Sequence, residues 1–196
     1  MTLICPSCHV ELESLPTALH CPGCGRLVPT DGGFPDFVGE DDLDWGELSV
    51  QEMEQVVQQA REVAWYVPLL KIAEEDSFLA YYILDRSRAG WVFHCLHPTG
   101  NEVCIDLGSG WGNIAFTLSD WYKTVWSVEA VRARVEFQTI RARQEGRDNL
   151  HPIRSMLLSL PFADNTADLV VCSGVLEWIG LSDFIQSVEM LQSTFL

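Results

Sequence analysis

Short apolar runs in the second half of the chain predict four buried strands, at Val103–Leu107, Thr124–Val128, Leu150–Ile153 and Leu169–Cys172. The segments between these runs are long enough to hold crossover helices. Strands joined by such crossovers pair in parallel, whereas a tight turn joins antiparallel strands. The pattern therefore predicts an α/β fold, in which helices flank a parallel sheet of about four strands.

Helical spacing precedes these strands. Ser49 and Glu52 have the spacing of a capping box, in which each side chain bonds the backbone N–H of the other residue. The helix after it is predicted to end at Pro68, and its apolar positions are Val50, Met53, Val57, Ala60, Ala64 and Val67. A second helix is predicted from Asp76 to about Ala89. A last helix is predicted from the spacing of Phe184, Val188 and Leu191.

Length and composition indicate a globular protein. The chain has 196 residues, 47% of them hydrophobic, and it has no apolar run near the roughly 18 residues of a membrane helix. The first eight residues lack the basic stretch and apolar run of a signal peptide. The sequence therefore predicts a cytoplasmic protein with no membrane partner.

Charge bears on the choice of partner. The formal net charge is −16, and between Leu27 and Ala60 there are nine Asp or Glu residues and no Lys or Arg. An acidic surface repels a phosphate backbone, which disfavours nucleic acid as the main partner without excluding it. Five arginines between Arg132 and Arg147 stand against this trend. We interpret them as the solvated face of a helix.

A glycine-rich turn follows the first predicted strand, at residues 106–112 with the sequence Asp-Leu-Gly-Ser-Gly-Trp-Gly. A dinucleotide site of the Gly-x-Gly-x-x-Gly type would need glycine at position 113, which is Asn113. Asp106 would also face a pyrophosphate unfavourably, whereas it suits an ammonium group. A second acid, Glu129, comes 23 residues later, where ribose hydroxyls are bound in nucleoside sites. These charges favour S-adenosylmethionine, a nucleoside with ammonium and sulfonium groups.

Residues 103–179 resemble the front half of a class I S-adenosylmethionine-dependent methyltransferase of the type 11 kind, with a Rossmann-like sheet. The resemblance lies in the Asp-x-Gly-x-Gly-x-Gly turn, in Glu129, in Leu-Pro-Phe at 160–162, and in residues 168–178, Asp-Leu-Val-Val-Cys-Ser-Gly-Val-Leu-Glu-Trp. It implies that Asp106 holds the methionine end of the cofactor and Glu129 its ribose. It also implies that the turn lines the cofactor through Gly108, Ser109, Gly110 and Gly112.

The resemblance implies further contacts after the third and fourth strands. Ser173 and Gly174 would lie beside the transferred methyl group. Many relatives have an Asp four residues before the Leu-Pro-Phe leucine, where it meets the adenine amine, but this chain has Met156 followed by Leu157. Adenine would then be held there by backbone groups and apolar packing.

Two Cys-x-x-Cys pairs near the N-terminus, separated by twelve residues, predict a structural zinc site with the ligands Cys5, Cys8, Cys21 and Cys24. We interpret His9 and His20 as exposed neighbours of the site. Cys95, Cys104 and Cys172 have no partner pattern, and the last two are predicted core residues.

The cysteine pairs also define the predicted domains. Residues 1–37 resemble the small zinc-binding, zinc-ribbon-like modules that are fused before methyltransferases or that act as separate activators of RNA methyltransferases. We therefore divide the chain into a zinc-binding module at 1–38, an acidic linker with N-terminal helices at 39–100, and a cofactor-binding domain at 101–196.

Three functions stay open at this point. The first is methyl transfer to a small molecule or biosynthetic precursor; the second is methylation of rRNA or tRNA; the third is cofactor binding by a non-catalytic partner protein. Glu177 and Asp183 are candidate bases, but we interpret them as exposed helix carboxylates, so no catalytic base is assigned. Class I methyltransferases continue beyond the fourth strand. We therefore expect a truncated domain whose fourth strand has an unpaired edge and an uncovered face, and which a partner chain completes.

Overall fold

A computed structural model describes residues 2–40, 43, 45–75, 77–94, 99–100, 102–175, 180 and 185. The predicted last helix and the candidate bases Glu177 and Asp183 lie outside these residues, as does Cys95. Among the described residues, no helix is both long and apolar enough to cross a bilayer.

A four-stranded parallel sheet is the centre of the fold, formed by β4 (Val103–Leu107), β5 (Thr124–Glu129), β6 (Leu150–Arg154) and β7 (Leu169–Cys172) in the order β6-β5-β4-β7. Helices α4 (Asn113–Leu118) and α5 (Arg132–Glu145) form the first two crossovers. The predicted fold class is confirmed. Two strands have the predicted bounds, while β5 and β6 each extend one residue further.

The helices before the sheet differ from the prediction. Helix α1 (Val50–Glu62) begins with the predicted capping box, but it ends before Pro68, and Pro68 lies in the first turn of α2 (Tyr66–Glu75). A proline in a first turn leaves no hydrogen bond unmade. The amide of Gln144, on α5, bonds the carbonyls of Ala60 and Val63 at the break between the two helices.

The second predicted helix is also divided. Helix α3 (Ser77–Leu84) is followed by a 3₁₀ helix at Arg86–His94. The prediction of one α-helix to Ala89 is therefore wrong.

The N-terminal residues form a small antiparallel sheet of β1 (Glu13–Ser14), β2 (Ala18–His20) and β3 (Leu27–Pro29). This part packs directly on one face of the parallel sheet. Leu3, Cys5, Cys21, Val28 and Phe37 share one apolar core with Ile105, Leu107 and Ile153. Cys104 points to the opposite face, against α4, because side chains alternate along a strand.

One face of the fourth strand, β7, is covered, in contrast to the prediction. Val170 and Cys172 pack against the core that the N-terminal part covers, so the prediction of an uncovered face is wrong there. Among the described residues, β7 pairs with β4 alone. A partner chain that completes the sheet stays a prediction, as do the domain boundaries.

Helix α5 carries four of the five arginines, and Arg147 follows its end. The prediction of a solvated face is wrong for two of the five. Arg134 and Arg141 are buried. The guanidinium of Arg141 lies 3.8 Å from the ring centre of Trp65 and pairs with Glu145. Four of the five pair with carboxylates, and these four are Arg132, Arg134, Arg141 and Arg147. The arginines therefore connect α5 to other parts of this acidic chain.

Candidate functional site

The glycine turn after β4 depends on backbone conformations that suit glycine. Gly108 has φ +63°, and a Cβ there would lie 2.2 Å from Cγ2 of Val175. Gly112 has φ +83°, and its Cβ would lie 2.9 Å from the ring of Phe116. L residues with side chains rarely adopt such φ values, and no space exists for the side chain at either position.

A cavity of about 200 Å³ lies between this turn and the carboxyl ends of β5 and β6. Its walls include acidic, positively charged and apolar side chains. The residues that line it include Gly108, Val128, Glu129, Ala130, Arg134, Met156, Leu157 and Gly174. Open α/β sheets bind ligands at this edge.

Glu129 is 6% exposed and forms the acidic wall of the cavity. One carboxylate oxygen accepts a hydrogen bond from the backbone N–H of Gly110 at 2.8 Å. The other accepts from the N–H groups of Ala130 and Val131, both at 2.9 Å. A carboxylate has about four acceptor sites, so capacity remains for about one further donor.

Asp106 lies on the other side of Gly108. It is 2% exposed and lines a narrow cleft with Ser109, Asn113 and Ser173. Gly108 and Tyr82 line both the cleft and the larger cavity. The two acids singled out in the sequence therefore border neighbouring spaces that meet at Gly108 and Tyr82, and we call these two spaces together the crevice.

Most of the predicted site residues line either the cavity or the cleft, but two glycines line neither. Gly108, Glu129, Met156 and Leu157 line the cavity, and Asp106, Ser109 and Ser173 line the cleft. Gly110 contributes its N–H to Glu129, and Gly112 is the N-cap of α4. These two glycines line neither space in the described structure, so they shape the turn instead.

One wall of the cavity was not predicted, and it comes from the acidic linker. Trp45, Gly46 and Glu47 line the cavity, and Trp45 is 49% exposed at its rim. The carboxylate of Glu47 accepts a hydrogen bond from Arg134 at 2.7 Å. Arg134 also lies 3.9 Å from the Glu129 carboxylate. A tryptophan beside glycine in an acidic stretch is the only sequence signal for this contact.

The four N-terminal cysteines form the second candidate centre. All four sulfurs lie within 4.8 Å of one another, with 3.6 Å between Cys5 and Cys24 and 3.3 Å between Cys8 and Cys21. A tetrahedral zinc ion with Zn–S bonds of about 2.3 Å separates its sulfurs by about 3.8 Å. The spacing fits such an ion.

The chemistry of these cysteines fits a metal as well. Although burial raises it, hydrogen bonds from the backbone of Ser7 and Cys8 bring the pKa of Cys5 down to about 6. A hydrogen bond from the backbone of Cys24 lowers the pKa of Cys21 as well, whereas hydrogen bonds with the neighbouring thiols raise the pKa values of Cys8 and Cys24. Two of the four thiols are therefore readily deprotonated, and the thiolate is the form that binds metal. His9 and His20 lie outside the group of ligand atoms found among the described residues. By contrast, burial and the Asp106 carboxylate raise the pKa of Cys104, as expected for a core residue.

Residues 105–191 match a family model described as a methyltransferase domain. Over 68 residues, 35% of this chain, the sequence is 29% identical to the uncharacterized methyltransferase YcgJ of Bacillus subtilis. The structure of YcgJ has a TM-score of 0.51 and 23% identity over 54% of this chain. These matches span 27% of the YcgJ sequence and 44% of its structure, so the chain covers less than half of this relative.

Two further solved structures have the same fold. A SAM-dependent methyltransferase from Aquifex aeolicus has a TM-score of 0.51 and 20% identity, over 63% of this chain and 65% of that protein. Phosphoethanolamine N-methyltransferase 1 of Haemonchus contortus, in complex with phosphoethanolamine and S-adenosylhomocysteine, has a TM-score of 0.50 and 13% identity, over 74% of this chain and 30% of that protein. At these identities the similarity is one of fold.

Proposed function

We propose that this chain, whose residues 105–191 match a methyltransferase domain, binds S-adenosylmethionine in the crevice beside Gly108 and transfers the methyl group to a small molecule or biosynthetic precursor. The observation that carries this proposal is the pair of buried carboxylates, Asp106 and Glu129, on either side of Gly108. Buried acids favour a cationic nucleoside over a phosphorylated one.

The shape of the crevice supports an orientation for the cofactor. We place the ribose against Glu129, which has acceptor capacity for about one hydroxyl. We place the methionine end toward Asp106 and Ser173, whose cleft of about 10 Å³ has to widen to admit it. The apolar wall at Met156 and Leu157 then faces adenine, which agrees with the missing acid there.

The chemistry required of the protein is mainly positioning. The bound cofactor supplies an electrophilic methyl group on a sulfonium. The residues of the chain align the acceptor with it and exclude water, and orientation of this kind supplies a large part of such rate accelerations. An acceptor that must lose a proton also needs a base.

A small acceptor agrees with the charge of the chain. The net charge of −16 opposes binding to a nucleic acid backbone. Phosphoethanolamine N-methyltransferase 1, which shares the fold, has a small molecule in its structure. The alternatives are an rRNA or tRNA acceptor, which the resemblance of the cysteine module favours, and a non-catalytic cofactor-binding protein.

Transfer of labelled methyl groups tests the proposal. The chain is incubated with methyl-labelled S-adenosylmethionine and a cell extract, and the products are divided by ultrafiltration, with and without ribonuclease. Label in the small-molecule fraction supports the proposal. Ribonuclease-sensitive label in the large fraction supports the RNA alternative. Cofactor binding without any labelled product supports the non-catalytic one.

We also propose that Cys5, Cys8, Cys21 and Cys24 hold one structural zinc ion. A closed shell of four thiolates leaves no position for substrate, so the ion contributes to folding rather than to catalysis. We expect one zinc per chain, and we expect chelation to lower the melting temperature. Cys5→Ser should lose the metal, whereas Cys172→Ser should keep it. A metal-free chain of unchanged stability would contradict this proposal.

A further inference from the structure

A buried ion pair joins the cysteine module to the parallel sheet. Arg154, the last residue of β6, is 0% exposed, and Asp36, which follows β3, is 5% exposed. Their side chains are 3.1 Å apart. The backbones also meet, since Phe37 donates to the carbonyl of Arg154 and Arg154 donates to that of Pro35. The segment at 35–37 therefore extends the sheet beyond its edge strand.

Asp36 is connected to the cysteines through its neighbour Phe37. The ring of Phe37 shares an apolar core with Cys5 and Cys21. The guanidinium of Arg26 donates to the carbonyl of Phe37 at 2.7 Å, and the carbonyl of Arg26 accepts from the N–H of Cys21 at 2.9 Å. The position of Asp36 thus depends on the folded cysteine cluster.

Arg154 is connected to the crevice on its other side. Its Nε donates to the carbonyl of Ala130 at 2.9 Å. Ala130 lines the cavity, and its N–H orients the Glu129 carboxylate. Arg132, two residues further, donates to Asp36 at 2.6 Å. Asp36 therefore holds both ends of the turn that places Glu129.

Asp36 also separates two positive charges. One of its oxygens accepts from both Arg132 and Arg154, and the other accepts from the N–H groups of Val38 and Gly39. Without this carboxylate, Arg154 would be a buried cation close to a second one. Uncompensated charge in a protein interior is strongly unfavourable, so the turn at Ala130 would have to move.

We propose that Asp36 is a positioning residue through which the metal-loaded cysteine module sets the affinity of the crevice for S-adenosylmethionine. This inference rests on the proposed function of the crevice and on the proposed zinc ion. Because coupling between two binding sites is reciprocal, the cofactor strengthens zinc binding by the same factor.

The test measures cofactor affinity by calorimetry for zinc-loaded and zinc-stripped chain. For the natural sequence, we expect stripping to weaken binding about tenfold, within the usual range of coupling between sites. Zinc-loaded Asp36→Asn should bind about tenfold more weakly as well, and stripping that variant should have little further effect, because both changes break one connection. Asp31→Asn, in an exposed turn of the same module, is the matched control and should behave like the natural chain.

A second measurement covers the case in which the stripped chain does not fold. Zinc affinity is determined by competition with a chelator, with and without S-adenosylmethionine. The cofactor should tighten zinc binding in the natural chain and in Asp31→Asn, but not in Asp36→Asn. A purely stabilising role would lower the melting temperature of Asp36→Asn and leave this coupling intact, which would overturn the inference. Absence of cofactor binding by the zinc-loaded natural chain would instead overturn the proposed function.

Discussion

Replacement of Glu129 by glutamine tests the role of the acid that lines the larger cavity. The side chain keeps its size and one acceptor oxygen, which can still serve the N–H groups of Ala130 and Val131. The new amide group then faces the N–H of Gly110, whose 2.8 Å hydrogen bond is lost. A hydrogen bond to a charged group contributes about 1.5–3 kcal/mol, and Glu129→Gln should destabilise the chain by this order.

The same substitution removes the acceptor proposed for the ribose. Loss of one charge-assisted hydrogen bond of about 1.5–3 kcal/mol corresponds to an affinity lower by roughly 10- to 150-fold. Calorimetric titration with S-adenosylmethionine measures this loss, and thermal unfolding measures the stability separately. Glu136→Gln is the control, because Glu136 lies on α5 and pairs with Arg61 away from the crevice. Folded Glu129→Gln with the affinity of the natural chain would refute the reasoning.

Two further predictions concern the glycine turn and His151, which lies on β6. Gly108→Ala should abolish cofactor binding, because its Cβ would lie 2.2 Å from Val175. The control is Gly146→Ala, which has a similar φ of +64° and open space around it, and which should cost only about 1–3 kcal/mol of stability. Titration measures cofactor binding and thermal unfolding measures stability, and equal binding by the two variants would show that the clash is irrelevant. Burial lowers the pKa of His151, so the unfolded chain binds its proton first and stability should fall as the pH drops below about 6.5. His151→Gln should flatten this part of the pH–stability profile. An unchanged profile would show that His151 is not the group responsible.

The strands were predictable because their signal is local. Val103–Leu107 and Leu169–Cys172 are apolar runs whose bounds the structure reproduces. The extra residues of β5 and β6 are Glu129 and Arg154, which are polar and buried. The burial of Arg154 depends on a partner distant in the sequence, Asp36, which is 118 residues away. No local pattern contains that information.

Contacts between residues distant in the sequence also explain why the predictions for the helices and the arginines were wrong. Pro68 was expected to end a helix, but the break comes earlier, where Gln144 from α5 bonds the backbone. Arg134 was expected to be solvated, but it is covered by the acidic linker at Glu47. In the site, Asp106 and Glu129 were found because the turn and the strand end are local motifs. Trp45 and Glu47 were missed because only tertiary packing brings them to the cavity.

The central claim is that the crevice at Asp106 and Glu129 binds a cationic nucleoside rather than a phosphorylated one. Equilibrium titration of the zinc-loaded chain with S-adenosylmethionine and with NAD, each in competition with S-adenosylhomocysteine, tests this claim most directly. We expect S-adenosylmethionine to bind at one site, S-adenosylhomocysteine to displace it, and NAD to have no effect at the same concentration. Binding of NAD in place of S-adenosylmethionine would contradict the account.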